Sequence, residues 1–395
     1  MNDGYCRLTV FCLFACVLLA GGIVAEAGVD KNPEKQQTEQ VVPGGESLPP
    51  PLKPGEWGLL FELGENLFPS MVICTATLKD DGNDDNDEFL LGEPWSAIGV
   101  QICSPQADCP VKVEISGGSH VKSGVWQGIM PKKGEVYRIF PTLKYDYDKL
   151  LAVKQTIPED LTFKVTINNK AEPEEVKRIQ VRPVNDCVYE YIDCMGNVRD
   201  VSWTFAAYVN ENHPVIEKIL EKTLKSGRID SFAGYQNDKA GVKAEIAAIW
   251  ETLRQSGVHY SSITTTSGED DYVSSQHVRL IGESVIASQA NCADSSVLLA
   301  SILRKIGLDV SLVILPDHML IAASLDDKGR DIIFIETTMI GESSLDEAIA
   351  SGIEQYEANK DRFDSERPED EDYHITNIAE ARRLGIMPLK DYAAK

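Results

Sequence analysis

The stretch Ser288–Ala323 reads SQANCADSSVLLASILRKIGLDVSLVILPDHMLIAA, and Phe334–Thr338 reads FIETT. Asn291 is a good helix N-cap, Cys292 takes the first helical position, and Asp294 sits in the first turn, where acids are favoured. Leu298, Leu299, Ile302, Leu303 and Ile306 form an apolar stripe; Arg304 and Lys305 suit the last turn, and Gly307 ends the helix. Strands are predicted over Val310–Leu315 and His318–Ser324, joined by a corner at Pro316-Asp317. After a turn at Asp326–Gly329, Asp331–Glu336 returns antiparallel. Reflecting the chain about residue 327 sets His318 opposite Glu336, about 4.5–5.5 Å apart at Cβ. A one-residue change of register would put the two on opposite faces.

A cysteine at a helix start has its thiolate stabilised by unpaired backbone N–H groups and the helix dipole, and the thiolate is the nucleophile. A nucleophile on a helix, a base on one strand and an orienting acid on the next follow the logic of an activated thiol. Taken alone, Cys292 reads better as a buried inert thiol; His318 and Glu336 shift that reading.

With these residues the chain resembles the transglutaminase-like superfamily, whose core is a papain-like cysteine-protease fold. Further resembling stretches are FAAYVNENHP (Phe205–Pro214), AAIW (Ala247–Trp250), VHYSSI (Val258–Ile263), QHVRL (Gln276–Leu280) and ARRLGIMPL (Ala381–Leu389). They suggest an exported bacterial branch and cover Val198–Leu389. The resemblance implies a catalytic triad of Cys292, His318 and Glu336. The chain departs from the family pattern at Ala290 and Asp317, where glycines are expected, and in carrying Glu336 where Asp is commoner.

Upstream, the pattern is β. Leu161, Phe163, Val165 and Ile167 alternate with polar residues, Val111, Val113 and Ile115 do the same, and Ile179/Val181 open another run. Turn chemistry at Ser116-Gly117-Gly118, Lys132-Lys133-Gly134 and Asn168-Asn169-Lys170 separates them. An antiparallel, immunoglobulin-like β-sandwich is expected over 57–197. Apolar residues then recur at three and four in Ala206–Lys225 and Val242–Gln255, which places the boundary near Val198 and a transglutaminase-like domain over 198–395. The fold class expected is therefore α+β. The acidic stretch Asp80–Glu88 reads as a solvated loop: counted from Asp81, a calcium loop would need Gly at Asn86 and Glu at Gly92.

Residues 1–27 read as a signal peptide, apolar from Leu8 to Val24 with a small-x-small site at Ala25-Glu26-Ala27; the other reading is an uncleaved anchor. Residues 28–56 are polar and proline-bearing, a disordered linker. A periplasmic or extracellular location follows, with membrane contact only if the N-terminal segment stays attached.

The 395 residues are 43% hydrophobic and 25% charged, enough for two sizeable cores. With 38 Lys+Arg against 62 Asp+Glu, the net charge of −24 disfavours nucleic acid and anionic lipid as partners. Cys6, Cys12 and Cys16 lie in the export segment. The spacings Cys103/Cys109 and Cys187/Cys194 allow small disulfide loops, with a buried thiol the other reading for each. No CxxC or HxxxH spacing suggests zinc, and the chemistry needs no metal or organic cofactor.

Other residues carry two readings. Gln276 is a candidate second oxyanion donor beside the backbone N–H of Cys292, or an exposed strand-end residue. Arg279 meets an anionic substrate group or pairs with a carboxylate. His277 reads as a surface residue without a nearby acid, His213 as part of a helix start, and Trp203 and Trp250 as core anchors. Asp294 is explained as a first-turn acid, and Asp361–Asp372 as a solvated loop.

The reading that follows is thiol-dependent acyl chemistry on a protein or peptide substrate, with peptide hydrolysis favoured over transamidation by what the resemblance implies. The alternative is a catalytically silent domain that binds protein or peptide at the cell envelope.

Overall fold

The computed structural model describes residues 51–390 except 80–86, 94, 258, 262–271, 288, 366, 368–369 and 371. The export segment with its three cysteines, the linker up to residue 50 and most of the acidic stretch 80–88 lie outside the described residues. Among the described residues no helix is long and apolar enough to cross a membrane.

The fold is mixed α+β with several sheets. The first region contains β1 (Trp57–Leu67), α1 (Pro69–Thr75), β2 (Leu90–Gly92), β3 (Ile98–Cys103), β4 (Cys109–Ser116), β5 (Val121–Met130), β6 (Val136–Phe140), β7 (Leu143–Tyr145), α2 (Tyr147–Leu151), β8 (Ile157–Ile167), β9 (Lys170–Ala171) and β10 (Glu175–Val181). Their order is β2-β6-β3-β1-β10-β8-β4-β5-β7, with β9 beside β8. Strand β1 joins the two halves: Trp57–Phe61 pairs with β3, and Asn66–Leu67 runs parallel to β10. The alternating residues of β4 and β8 point inward as expected and share one core with Val100, Ile102, Tyr137 and Ile139. The expectation of antiparallel pairing holds for most neighbours, but β1–β10 and β2–β6 are parallel. A period of two fixes which face is buried and says nothing about the neighbour's direction.

The second region contains β11 (Asp186–Ile192), β12 (Val198–Asp200), α3 (Pro214–Lys225), α4 (Lys239–Gln255), β13 (His259–Tyr260), β14 (Val273–His277), α5 (Ile281–Ala287), β15 (Gln289–Ala290), α6 (Cys292–Lys305), β16 (Val310–Leu315), β17 (His318–Ser324), β18 (Ile332–Ile335), α7 (Leu345–Asn359), β19 (His374–Asn377) and α8 (Ile378–Arg383). Three sheets run β12-β11-β14, β13-β15 and β18-β17-β16-β19. The change from β to helical pattern near Val198 does not coincide with the change of pairing partner, since β11 already pairs with β14. Of the expected helix Ala206–Lys225, Ala206–Tyr208 end a 3-10 helix (Ser202–Tyr208), residues 209–213 are not helical, and a proline at the first position opens α3.

The two regions share packing. Phe68, Met71 and Cys74, on and just before α1, join Leu63 and Leu151 in the core of the second region. Ser70 donates to Asp186 O at 2.6 Å, and Lys79 N donates to Leu384 O at 2.9 Å. Helix α1 is thus a wedge from the first region inside the second. Neither cysteine pair is bonded: all six described cysteines are free. Cys187 is buried 3.2 Å from Thr204 Oγ1, whereas Cys194 is exposed beside Arg138. Closeness in sequence did not bring those side chains together, because β11 carries Cys187 into the core and the following turn carries Cys194 out. Cys103 and Cys109 likewise face separate carbonyls, Gly134 O and Pro110 O.

Truncating the wedge removes apolar contacts from the second core. Phe68→Ala or Met71→Ala should therefore lower global stability by about 2–5 kcal/mol in urea unfolding. A loss below about 1 kcal/mol would show that the second region holds itself together without the wedge.

Candidate active site

Helix α6 begins as its sequence specifies. Asn291 accepts from Asp294 N at 2.8 Å, Asp294 answers to Asn291 N at 3.1 Å, and Cys292 occupies the first helical position. Val297, Leu298, Leu299, Ile302 and Leu303 are all fully buried and press the helix onto β16 and β17. Gly307 turns the chain out with a positive φ of 86°.

Asp294 does more than suit a first turn. Its carboxylate is fully buried and accepts from Arg279 N at 2.7 Å and Arg279 Nη1 at 2.6 Å. Arg279 is therefore committed to a carboxylate and pins the chain leaving β14 to the start of α6. Asn291 Nδ2 donates to His277 O at 3.2 Å, which fixes the same junction from the other side.

The hairpin β16–β17 places the base. Leu315 pairs with His318, so Pro316-Asp317 is a two-residue turn. Asp317 has φ 57°. Proline before it holds φ near −65°, so the turn is type II, whose second central residue favours glycine. This is the physical content of the glycine expected at that position. Ala290, the other departure, is buried in β15 and pairs with Tyr260.

His318 and Glu336 meet, though by a different register from the one expected. Strand β18 pairs Ile321 with Ile335 and Ser324 with Ile332, so the hairpin reflects about residue 328 rather than 327. Each partner moves by two residues, which preserves the face and makes His318 and Glu336 diagonal neighbours. The return strand ends at Ile335, and Glu336 caps a 3-10 turn at Thr337–Met339. A glutamate side chain spans the diagonal: His318 Nε2 lies 2.6 Å from Glu336 Oε2. Cys292, at the start of α6, interacts with the imidazole and favours its charged form.

Glu336 is only 4% exposed, and burial by itself would raise its pKa. Hydrogen bonds from His318, Thr338 and Gln355 outweigh burial and hold the carboxyl down to about 2. Burial likewise disfavours the charged imidazole, but its bonds to Cys292 and Glu336 push His318 up to about 10. The pair is thus an imidazolium and a carboxylate over the neutral range.

Several participants carry no local sequence signal. Ser296 Oγ lies 3.2 Å from Met319 O and 2.8 Å from Thr337 Oγ1, and Thr337 reaches Cys292 O at 3.5 Å. These buried hydroxyls tie α6, β17 and the acid-bearing turn together. Thr338 donates to Glu336 Oε1 from N at 2.9 Å and from Oγ1 at 2.6 Å. Tyr260, in β13 beside β15, is 46% exposed; burial raises its phenol, and the charges of Cys292 and Glu336 add to that, which sets it at the mouth of the site.

Gln276 donates one of its two amide hydrogens to His277 O at 3.1 Å. His277 has an acid after all, Asp186 at 3.6 Å, supplied by the neighbouring strand from far away in sequence. His213 caps α3 through Nδ1, and Trp203 and Trp250 are buried in the core. The acidic run beyond Asp361 is not wholly solvated, because Asp370 is buried against Arg362 and Arg367. Among the described residues no group of three or more His, Cys, Asp or Glu is arranged to hold a metal ion.

No protein-family model matches the chain, and no curated protein matches it.

Two predictions follow from the geometry. Asp317→Gly should raise stability by about 0.5–1 kcal/mol and Asp317→Val lower it by about 1–2 kcal/mol in urea unfolding. Equal stabilities would mean that the turn stores no strain. The second concerns pH. Stability from the raised His318 is complete below its ordinary value of 6.5 and is lost as pH rises through about 10. That from the lowered Glu336 is complete above its ordinary 4.5 and is lost as pH falls through about 2. The stability gap between wild type and Glu336→Gln should therefore be widest between pH 4.5 and 6.5 and shrink on either side. A gap constant with pH would contradict the ion pair.

Proposed function

We propose that this is an exported transglutaminase-like protein, with an immunoglobulin-like β-sandwich before a papain-like domain, that carries out thiol-dependent acyl chemistry on protein or peptide amides. The observation that carries the reading is one connected chain of side chains: Cys292 at the start of α6, His318 at the start of β17, and Glu336 just past β18, with 2.6 Å between imidazole and carboxylate.

With Glu336 ionised, the His318 imidazolium donates Nε2–H to it and holds on its opposite nitrogen the proton that came from the Cys292 thiol, so the nucleophile is the thiolate of an ion pair. The thiolate sulfur attacks the amide carbonyl carbon, and the negative charge moves to the carbonyl oxygen. Unpaired N–H groups at the start of α6 stabilise that oxyanion. Collapse breaks the C–N bond, the imidazolium gives its proton to the departing amine, and a thioester remains. Water resolves it to an acid, or a second amine to a new amide, with His318 again taking the proton. Hydrolysis is the favoured outcome.

A second reading, a silent domain that binds peptide, is motivated by the altered residues near Cys292 and His318: Ala290, and Asp317 with its φ of 57°. Alkylation of the protein by iodoacetamide across pH separates the two. On the enzyme reading, labelling is fast at neutral pH, vanishes in Cys292→Ala, and slows by about tenfold or more in His318→Ala, with Glu336→Gln between. Labelling of Cys292 that is slow and indifferent to His318 would leave the binding module as the better account.

A further inference from the structure

We infer that Gln355, on α7, is a positioning residue that keeps Glu336 an anion by donating to the same carboxylate oxygen that holds His318. The inference rests on the thiol-acyl reading of the site. Glu336 Oε2 is 2.6 Å from His318 Nε2 and 2.6 Å from Gln355 Nε2, while Oε1 takes both donors of Thr338. A carboxylate offers about four lone-pair sites, and all four here are filled. The Thr338 hydroxyl can rotate and the imidazole can change tautomer, but a side-chain NH2 group only donates. A protonated carboxyl would have to place its O–H against one of these donors. Gln355 therefore disfavours that state on the very oxygen His318 uses.

The placement of Gln355 is built into α7. Gly352, one turn earlier, is buried mid-helix, where glycine costs about 1 kcal/mol relative to alanine. A Cβ there would lie 2.6 Å from both the carbonyl carbon and the oxygen of Phe334, and 2.8 Å from Ile335 N. The missing side chain lets α7 lie directly on the backbone that ends in Glu336. Glu336 N donates to Ala348 O at 3.1 Å, and Tyr356 stacks on Phe334 at 3.8 Å, so the helix grips the strand on both sides of Gln355. Among the described residues, the titratable groups that interact with Glu336 are His318 from β17 and Tyr260 from β13. Neither lies on α7, which contributes its neutral amide.

The test is acylation of Cys292 by p-nitrophenyl acetate, followed from pH 8 to pH 4 in the full chain, with near-UV circular dichroism confirming the fold at each pH. Gln355→Glu puts a second carboxyl against Glu336, where two acids share a proton and one titrates far higher. The ratio of its rate to that of wild type should fall by about tenfold or more as pH drops from 8 to 4. Gln355→Met removes the donor alone and should move the acid limb up by about one pH unit, which is read by carrying its assay and the wild-type assay down to pH 3. Ratios independent of pH in both variants, including a uniform loss of rate, would overturn the inference and reduce Gln355 to a packing residue. Wild-type rates in Glu336→Gln or Cys292→Ala would instead overturn the triad reading itself.

Discussion

The charge-assisted bond between His318 and Glu336 is the constraint around which the second region is arranged. Both groups are largely withdrawn from water, and a withdrawn charge is tolerated only where donors and acceptors surround it. Glu336 has four such partners, drawn from β17, from the turn that follows β18, and from α7. Each partner fixes one element relative to another, so satisfying this carboxylate also fixes the base. The strongly lowered pKa of Glu336 and the raised pKa of His318 are two expressions of that enclosure.

Helix α6 is held by a second buried pair, Arg279–Asp294. The Asp294 carboxylate accepts from the Arg279 backbone, the Asn291 backbone and the Arg279 guanidinium at once. It joins the end of β14 to the turn before Cys292. Ser296 and Thr337 then join that helix to the acid-bearing turn. Cys292, His318 and Glu336 lie on three different elements, and in each case a buried polar bridge sets the distance between neighbours. Apolar packing fixes the layers, while these bridges select one arrangement within them.

What the sequence made legible was local. The cap at Asn291, the stripe from Leu298 to Leu303, the corner at Pro316-Asp317 and the alternation in β4 and β8 all rest on neighbours within a few residues. The hairpin register was within one residue of reflection, and the surviving face parity is why His318 and Glu336 could be paired from spacing alone. What stayed hidden was long-range. Gln355 lies on a helix whose own pattern gives no reason to single it out, and Asp186 reaches His277 only because β11 joins a sheet with β14. Strand β11 lies within the span 57–197 assigned to the β-sandwich, yet it pairs with strands of the second region. The wedge of α1 was equally invisible, since its Phe68 and Met71 have their partners more than a hundred residues on.

Of the three departures from the pattern expected of transglutaminase-like chains, those at Asp317 and Glu336 have different physical weights. At Asp317 the backbone adopts the left-handed conformation that a glycine would adopt without strain, and a short polar side chain is among the least costly substitutes. The turn therefore still delivers His318 to its place. At Glu336 the change works the other way. Because the hairpin sets the acid diagonal to His318 rather than opposite it, an aspartate on this backbone would fall short by the length of one methylene. The extra carbon of glutamate closes that gap, and it leaves the second oxygen free to take both donors of Thr338. Register and acid type thus form one compensated pair: restoring aspartate without moving the register would break the bond that the rest of the site is built to hold.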